Sequence, residues 1–253
     1  MRVAIVIPAR LGSTRLPRKM LLAETGMTLL EHTYRSAKTS LTAERVVIAT
    51  DDASIVQVAE GFGADAVLTD LAHQSGTERV AEVAHGLSGF DLVVNLQGDE
   101  PEMAGEVIDK AVEVFQQPDV QVSTVACPIR ERALLDDPSC VKVVLDHQGR
   151  ALYFSRSVIP YPRQWDDSLL SDDRPVYLQH LGLYVYRRDF LTSFAKLPDS
   201  PLARCESLEQ LRVLQAGHSI RVALVSHSSK GIDTPEDYAA FVSRFRQNAA
   251  VGI

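Results

Sequence analysis

The sequence has few cysteines, and none of them are closely paired. Three cysteines occur in 253 residues, at positions 127, 140 and 205, and no two are spaced as Cys-x-x-Cys. An odd number without that spacing argues against a disulfide framework or a zinc site, and it is typical of a reducing compartment. We therefore expect buried, inert thiols and a cytoplasmic location.

Long apolar runs and an excess of basic residues are also missing. The first apolar run, VAIVI, is too short for a signal sequence or a membrane span, and Pro8 ends it. The formal net charge is −7, whereas broad binding to nucleic acid or to an anionic membrane needs a basic face. We expect neither partner, although a local basic pocket is compatible with this charge.

The loop after the first apolar run lacks both glycine-rich phosphate signatures. Residues 8–19 contain a single glycine, so neither G-x-x-x-x-G-K-[ST] nor G-x-G-x-x-G is present. The polar side chains of this loop include those of Arg10, Ser13, Thr14, Arg15 and Lys19. Arginine forks and a compact ammonium bind phosphate oxygens well, so the loop predicts a triphosphate site. The alternative is a solvated basic surface loop.

Apolar runs alternate with amphipathic segments along the first half of the chain. Strand-like runs occupy residues 2–7, 45–50, 65–69 and 91–97, and helical spacing occurs over residues 28–38, 52–61 and 76–87. This order predicts an α/β fold with a doubly wound, mostly parallel sheet. In such sheets ligands bind beyond the carboxyl ends of the strands, where the loop of residues 8–19 begins.

The pattern changes after residue 120. Residues 141–156 form two strand-like runs around a polar turn, which predicts a hairpin. Residues 160–176 are rich in proline and aspartate, so we expect a long mobile loop. Thr234 and Pro235 begin a predicted terminal helix. Together these features indicate one domain, residues 1–253, with a hairpin-bearing insertion in its second half.

Two aspartates lie in loops far apart in the chain. Asp99 follows the fourth strand-like run in NLQGDEP, and Asp233 precedes the terminal helix in GIDTPED. Loop carboxylates bind hard cations, and two of them suit magnesium bridging of phosphates. Gly98 would let the backbone approach a ligand closely. The alternatives are an acidic helix start at Asp99 and a capping role for Asp233.

Two further segments carry polar side chains with a structural or a binding role. In HQSGTERV, Ser75 or Thr77 is a candidate helix cap, with Glu78 as the capping-box partner if Ser75 is the cap. The same loop is a candidate nucleobase contact. His180, Gly182 and Tyr184 alternate along a strand-like run and therefore share one face. That face can hydrogen-bond a polyhydroxylated substrate, whereas a single strand histidine is more often structural.

Taken together, the motifs resemble one family. IPARxxSTRLPxK, HQSGTER, QGDEP, ALYFSRxxIP, HLGLYxYR, LEQLR and DTPED occur in the order found in 3-deoxy-manno-octulosonate cytidylyltransferases, also called CMP-Kdo synthetases. The resemblance covers essentially the whole chain, whereas the first motif alone indicates only the wider sugar-nucleotidyltransferase group. It implies a nucleotide-diphospho-sugar transferase fold and activation of Kdo with CTP, giving CMP-Kdo and diphosphate for lipopolysaccharide synthesis.

The resemblance also implies an oligomeric state and a different ligand for each half of the chain. It implies a magnesium-dependent, cytoplasmic homodimer. Residues 1–120 would mainly bind CTP, and residues 121–253 would mainly bind the sugar acid and form the dimer contact.

Individual residues take roles from the same resemblance. The nucleotide-binding residues that it implies are Pro8, Ala9, Arg10, Ser13, Arg15, Lys19, Gln74, Ser75 and Gly76. The residues that it places around Kdo are Gln97, Arg156, His180, Tyr184, Glu209 and Gln210. Arg156 would pair with the Kdo carboxylate, and Asp99 and Asp233 would bind magnesium. The implied catalytic set is Arg10, Lys19, Asp99 and Asp233, with no residue assigned as general base.

Several positions depart from the family pattern, among them Arg204 and Cys205 before LEQLR, where acidic or apolar residues are more typical. Arg18 stands where glycine is common, Met20 where proline is common, and Val185 where glycine is usual. These changes leave open an amino-substituted Kdo or a sialic-type acid as substrate. A non-catalytic nucleotide-binding protein on the same fold is disfavoured, because such a protein does not need a complete set of phosphate and metal ligands.

Overall fold

The computed structural model describes residues 1–13, 15–117, 119–171, 175–226 and 229–251. The chain divides into two compact units. Unit 1 comprises Met1–Ile108 and Ser229–Ile253, and unit 2 comprises Asp109–Ser228. The C-terminal segment therefore belongs with the N-terminal part of the chain. The single domain with halves meeting at residue 120 stays a prediction.

Strands and helices alternate through the first half of the chain, and the second half also contains consecutive strands and consecutive helices. The strands are β1 (Val3–Ala9), β2 (Ala43–Thr50), β3 (Asp65–Leu68), β4 (Leu92–Leu96), β5 (Val122–Pro128), β6 (Lys142–Leu145), β7 (Ala151–Ser155), β8 (Leu178–Arg187) and β9 (Ile220–Leu224). The helices are α1 (Leu29–Ala37), α2 (Ala53–Gly61), α3 (Gly76–His85), α4 (Gly105–Glu113), α5 (Arg132–Asp136), α6 (Ser168–Ser171), α7 (Arg188–Thr192), α8 (Pro201–Glu206), α9 (Gln210–Gln215) and α10 (Pro235–Val251). Single 3-10 turns cover Lys19–Leu21, Val114–Gln116 and Phe194–Lys196.

The strands of unit 1 pair in parallel, in the order β3–β2–β1–β4. Every residue of β1 and β4 is buried, which explains why their sequences are nearly continuous apolar runs rather than alternating ones. Because β1 and β4 are parallel neighbours, the loops that follow them leave from the same edge of the sheet. The predicted α/β fold with a mostly parallel sheet is confirmed.

The helix caps of unit 1 agree with the sequence signals, with one shift. The Ser75 hydroxyl accepts a hydrogen bond from the Glu78 amide at 3.2 Å. The Glu78 carboxylate accepts from the Gln74 amide at 2.9 Å, one residue earlier than a capping box requires. The Thr234 hydroxyl accepts from the Asp237 amide at 3.1 Å and begins α10. The predicted caps at Ser75 and Thr234 are therefore confirmed.

Unit 2 contains a mixed set of strands. Strand β5 pairs in parallel with β9 and antiparallel with β8, while β6 and β7 form an antiparallel pair. The turn between β6 and β7 closes with a hydrogen bond of 3.0 Å from the Gly149 amide to the Asp146 carbonyl. Gly149 has a φ of +74°, which glycine adopts without strain. The predicted hairpin is confirmed.

The segment expected to be a long loop, residues 160–176, contains the short helix α6. Trp165 stacks on Tyr177 at 6.2 Å between ring centroids, and the Arg132 guanidinium lies 3.9 Å from the centroid of the Trp165 ring. Leu170 packs in a small apolar cluster with Tyr177. Residues 172–174 of this segment lie outside the described residues, and its mobility stays a prediction.

The thiols differ in their surroundings. Cys127 and Cys140 are buried, and burial raises the pKa of the Cys127 thiol to about 11, which keeps it protonated and unreactive. Cys205 is exposed on α8, so the expectation of a buried thiol is wrong there. As for membranes, none of the helices in the described part of the chain has the length and hydropathy to cross one.

Candidate active site

In the loop after β1, the residue before Lys19 has a left-handed backbone conformation. Arg18 has φ 54° and ψ 29°, and the 3-10 turn Lys19–Leu21 follows directly. For a residue with a Cβ this conformation costs roughly 1 kcal/mol relative to glycine. This conformation explains why glycine suits position 18. The Arg18 backbone is therefore strained, and nothing in the conformation makes its side chain a phosphate ligand.

Gly98 allows the loop after β4 to pack against the loop after β1. A Cβ on Gly98 would lie 3.0 Å from the carbonyl oxygen of Pro8 and 3.0 Å from the sulfur of Met20. The hydroxyl of Thr33 also donates to the Gly98 carbonyl at 2.8 Å. The motif predicted a glycine for close approach to a ligand, whereas the close approach seen here is to the protein's own backbone.

Lys19 lies between the two aspartates that the sequence singled out. Its ammonium donates to Asp99 Oδ2 at 2.5 Å, to Asp233 Oδ1 at 3.0 Å and to the carbonyl oxygen of Ile232 at 3.1 Å. Burial acts to lower the Lys19 pKa, but the two carboxylates outweigh it and the pKa is raised. Arg15 pairs with the other oxygen of Asp233 at 2.9 Å. We call the oxygen atoms Asp99 Oδ2, Asp233 Oδ1 and Ile232 O the cation seat.

Glu100 and Ser229 connect the two loops that carry the aspartates. The Ser229 hydroxyl donates to Glu100 Oε2 at 2.9 Å, and a Cβ on Gly231 would lie 3.1 Å from Glu100 Oε1. Burial, followed by the charge of Asp99, raises the Glu100 pKa to about 7. Sequence reasoning considered Glu100 only in the alternative of an acidic helix start, and its position directly after Asp99 in QGDEP was the signal for a role at the site.

The remaining predicted nucleotide residues lie in unit 1 around the loop before α3. Arg10 donates to the His73 carbonyl at 3.2 Å, which connects the first loop with that segment. A Cβ on Gly76 would lie 3.4 Å from Pro8 Cγ and 3.5 Å from Gln97 Oε1. Three predicted site residues, Pro8, Gly76 and Gln97, are therefore in close proximity.

Other members of the predicted nucleotide set are placed as follows. Ala9 is the buried last residue of β1. The Ser13 hydroxyl accepts from the Leu16 amide at 3.3 Å and so stabilises the first loop from within. The exposed Gln74 donates to the Ala72 carbonyl at 2.8 Å. Thr14 lies outside the described residues.

Arg79 supports the loop before α3, and the sequence reasoning missed it. Its side chain is fully buried, and it donates to Asp51 Oδ2 at 2.6 Å and to the hydroxyl of Thr69. A buried arginine within an amphipathic helix pattern was the available signal, because an unpaired guanidinium is costly to bury.

In unit 2, His180 and Tyr184 share a face of β8, as predicted. The His180 ring lies 5.0 Å from the Phe154 ring and 5.3 Å from the Tyr184 ring, and its Nε2 hydrogen-bonds the Thr124 hydroxyl at 3.0 Å. Removal from water lowers the His180 pKa to about 3, so the ring is neutral. Tyr184 also stays neutral, because burial and then the charges of Tyr186 and Glu209 raise its pKa. Half-buried Glu209 therefore lies near this face.

Gln210 and Arg156 complete the predicted sugar-binding set. Gln210 is the buried first residue of α9. The Arg156 guanidinium donates to backbone carbonyls of Glu206 at 2.7 Å, Pro138 at 3.0 Å and Ser207 at 3.4 Å. Its side chain thus orders neighbouring segments of unit 2, and that framework role was not anticipated from the motif.

Lys142 supports the same framework from inside. Its buried ammonium donates to the carbonyls of Asp137 at 3.0 Å, Cys140 at 2.8 Å and Arg156 at 2.6 Å. Burial lowers the Lys142 pKa. A lysine inside an apolar strand was the signal in the sequence.

The cation seat has the chemistry of a hard-metal site. Its ligands are all oxygen atoms, and both carboxylates face one cationic nitrogen. Magnesium is typically held by one or two carboxylates, with substrate phosphates and water completing its coordination. Asp99 and Asp233 fit that description. The described residues contain no group of three or more histidine, cysteine, aspartate or glutamate side chains suited to a metal.

The fold and this site define a nucleotidyltransferase, and comparison with known proteins specifies the kind. The sequence profile of the cytidylyltransferase family matches residues 4–220, so the chain belongs to that family. It is 46% identical, over 96% of its length and 98% of the relative's, to the 3-deoxy-manno-octulosonate cytidylyltransferase of Rhodopirellula baltica. It is 43% identical to the enzyme of the same name from Syntrophotalea carbinolica, over 97% of this chain and 99% of that one.

A solved structure agrees with these relatives. The structure described as CMP:2-keto-3-deoxy-manno-octonic acid synthetase complexed with CTP is similar to this chain with a TM-score of 0.90 at 39% identity. The similarity covers 98% of this chain and 100% of that one. The resemblance inferred from the motifs is confirmed.

Proposed function

We propose that this protein transfers the cytidylyl group of CTP to 3-deoxy-manno-octulosonate, giving CMP-Kdo and diphosphate. The observation that carries the proposal is the cluster of Arg15, Lys19, Asp99 and Asp233 at the carboxyl edge of the parallel sheet. This is the edge where α/β sheets bind nucleotides. The relatives' name and the CTP bound in the similar structure supply the substrates.

The reaction is an in-line displacement at phosphorus. The anomeric hydroxyl of Kdo attacks the α-phosphorus and a new P–O bond forms. The bond from the α-phosphorus to the α,β-bridging oxygen breaks, diphosphate leaves with that oxygen, and the hydroxyl proton passes to water. In this class of reaction the protein mainly positions the reactants and neutralises charge. Arg10, Arg15 and Lys19 would hold the triphosphate, and the loop of Gln74, Ser75 and Gly76 would contact the cytidine.

Asp99 and Asp233 would hold magnesium in the loaded enzyme. The ion would polarise the α-phosphate and lower the pKa of the attacking hydroxyl. Lys19 supplies a further positive charge, since its raised pKa keeps it protonated.

The face of β8 in unit 2 suits the sugar acid. Neutral His180 and Tyr184 offer hydrogen bonds to hydroxyl groups without placing a charge on the sugar. Glu209 and Gln210 would extend this set, and Gln97 would contact Kdo from the end of β4. Arg156 would attract the Kdo carboxylate in addition to ordering its own loop.

Further parts of the proposal come from the resemblance of the motifs. We include magnesium as the metal, a homodimer as the assembly, the cytoplasm as the location and lipopolysaccharide synthesis as the pathway. A related ulosonic acid is the alternative substrate.

The test is a diphosphate-release assay with the full chain. It should use four nucleoside triphosphates against Kdo, amino-substituted Kdo and a sialic acid, each with magnesium or with a chelator. We expect release with CTP, Kdo and magnesium together. No release in that reaction would contradict the proposal, and release with a sialic acid alone would replace Kdo as the substrate.

A further inference from the structure

Lys19 uses all of its hydrogen-bond donors on the three oxygen atoms of the cation seat. An ammonium has three protons, and Lys19 Nζ donates to Asp99, to Asp233 and to the Ile232 carbonyl. Only 10% of the side chain is exposed. The ammonium therefore occupies the position between the carboxylates that a metal ion would need.

Arg15 completes the charge balance of this group. It pairs with Asp233 Oδ2, so both oxygens of that carboxylate have a cationic partner. Two cations thus face two carboxylates. A divalent ion that entered the cation seat without displacing Lys19 would meet an ammonium at close range, with both carboxylates already paired with a cation.

The loops that carry the cation seat are joined by contacts that do not involve the lysine. The Ile232 amide donates to the Asp99 carbonyl at 2.9 Å, and Ser229 bonds Glu100 at 2.9 Å. The backbone around Lys19 is ordered as well, since the Leu22 amide donates to the Lys19 carbonyl at 3.2 Å. Displacement of the ammonium by rotation of the four-carbon lysine stem therefore breaks none of these loop contacts.

From this geometry we propose that Lys19 is a built-in counter-cation that excludes free divalent metal from the cation seat until CTP arrives. The triphosphate offers the ammonium new oxygen partners, and the two carboxylates then become available to the metal that accompanies the nucleotide. Lys19 thereby couples metal binding to nucleotide binding. This inference deepens the proposed function and rests on it for the identity of the nucleotide.

The test measures metal binding in the absence of nucleotide. Mn²⁺ binding to the full chain is followed by electron paramagnetic resonance of the free ion, for the wild-type protein and for Lys19→Met, which keeps the apolar stem and removes the charge. We expect the Kd for Mn²⁺ to fall at least about tenfold in Lys19→Met. Lys110→Met, which removes an exposed lysine paired with Glu113, is the matched control and should not change the Kd.

Two further variants keep the result interpretable. The gain in Mn²⁺ affinity should disappear in the double variant Lys19→Met/Asp99→Asn, because one carboxylate of the cation seat is neutralised. Where Lys19→Met lowers the melting temperature, Lys19→Gln retains a hydrogen-bond donor and should give the same gain. An unchanged or weaker Mn²⁺ affinity in folded Lys19→Met and Lys19→Gln would overturn the inference.

The inference and the proposed function fail separately. Diphosphate release from CTP and Kdo, together with no gain of Mn²⁺ affinity, would overturn only the role of Lys19 as counter-cation. A gain of affinity in a protein that releases no diphosphate would support that role and contradict the proposed reaction.

Discussion

The Ile232 amide donates a hydrogen bond of 2.9 Å to the carbonyl oxygen of Asp99. This bond joins the loop after β4 to the loop before α10, which are more than half the chain apart. Each loop carries one aspartate, and both carboxylates pair with the Lys19 ammonium. The arrangement explains why the C-terminal segment belongs to unit 1 rather than to the sequence that precedes it.

Asp99→Asn should reduce turnover by at least about 10³-fold while the protein stays folded. The amide keeps the shape of the side chain but loses the charge that would hold the metal and balance Lys19. Steady-state diphosphate release and the thermal midpoint are the measurements. Asp65→Asn is the control, because Asp65 is an exposed partner of Arg45 on β3 and its loss should leave turnover unchanged. Near-normal turnover in Asp99→Asn would refute the metal role of this residue.

Arg156→Lys should destabilise the protein and raise the KM for Kdo. The guanidinium donates to three backbone carbonyls, and an ammonium cannot reach all of them from one position. We expect a loss of about 1–3 kcal/mol in the free energy of unfolding, measured in urea. Arg163→Lys, at an exposed position, should change neither quantity. A KM for Kdo that stays constant despite the lost stability would assign Arg156 to the framework alone.

Gly98→Ala should destabilise the protein through crowding. The added Cβ would lie 3.0 Å from both the Pro8 carbonyl oxygen and the Met20 sulfur, and the backbone oxygen cannot move aside cheaply. We expect a loss of about 1–3 kcal/mol in the free energy of unfolding. Gly61→Ala is the control, since a Cβ there has nothing within 4 Å and lies in α2, where alanine favours the helix. Equal stability of the two variants would contradict this packing.

Arg18→Gly should retain activity and differ from the wild type by less than about 1 kcal/mol in the free energy of unfolding. Glycine relieves the left-handed backbone but gains conformational freedom in the unfolded chain, and the two effects oppose each other. Arg18→Val places a β-branched residue in the same conformation and should lose about 1–2 kcal/mol more. The comparison is made by urea unfolding, and a valine variant as stable as the glycine variant would argue against the left-handed conformation.

His180 should make the protein less stable as the pH falls from about 6.5 toward 3. Its pKa is about 3 in the folded protein against an ordinary value of 6.5, so the unfolded state binds more protons in that window. The contribution to the free energy of unfolding is constant above the window. Because His180 is half-buried, the free energy of unfolding should fall by less than the limiting value of about 1.4 kcal/mol for each pH unit.

The measurement is urea unfolding between pH 4 and 8 for the wild-type protein and for His180→Gln. The difference between their unfolding free energies isolates this histidine from other titrating groups. A His180 ring that titrates near 6.5 in an NMR experiment would contradict the lowered pKa.

The elements of the fold could be predicted because their signals are local. The βαβα order, the Ser75 and Thr234 caps and the hairpin turn at Gly149 each depend on a few neighbouring residues. The loop after β1 was also predicted as a cationic site, since its residues occupy a short stretch of chain at the end of a strand. Each of these patterns reflects backbone geometry or helix and strand periodicity.

The partners of the charged residues could not be predicted in the same way. Lys19 bonds Asp99 and Asp233 across sequence separations of 80 and 214 residues. Glu100 bonds Ser229, and buried Arg79 bonds Asp51. Arg156 looked like a substrate ligand in its motif, yet its guanidinium donates to the backbone of its own unit.

The chain's local patterns and motif order were sufficient to establish the α/β class, the family and the cationic nature of the first loop. Tertiary structure alone decided that Lys19 and Arg15 of this loop pair with the two aspartates. The physical reason is that burial makes an unpaired charge costly, so each charge is paired with whatever opposite charge the folded chain brings near. The packing of the sheet and its loops brings these charges together, and no short segment of the sequence predicts which charges will meet.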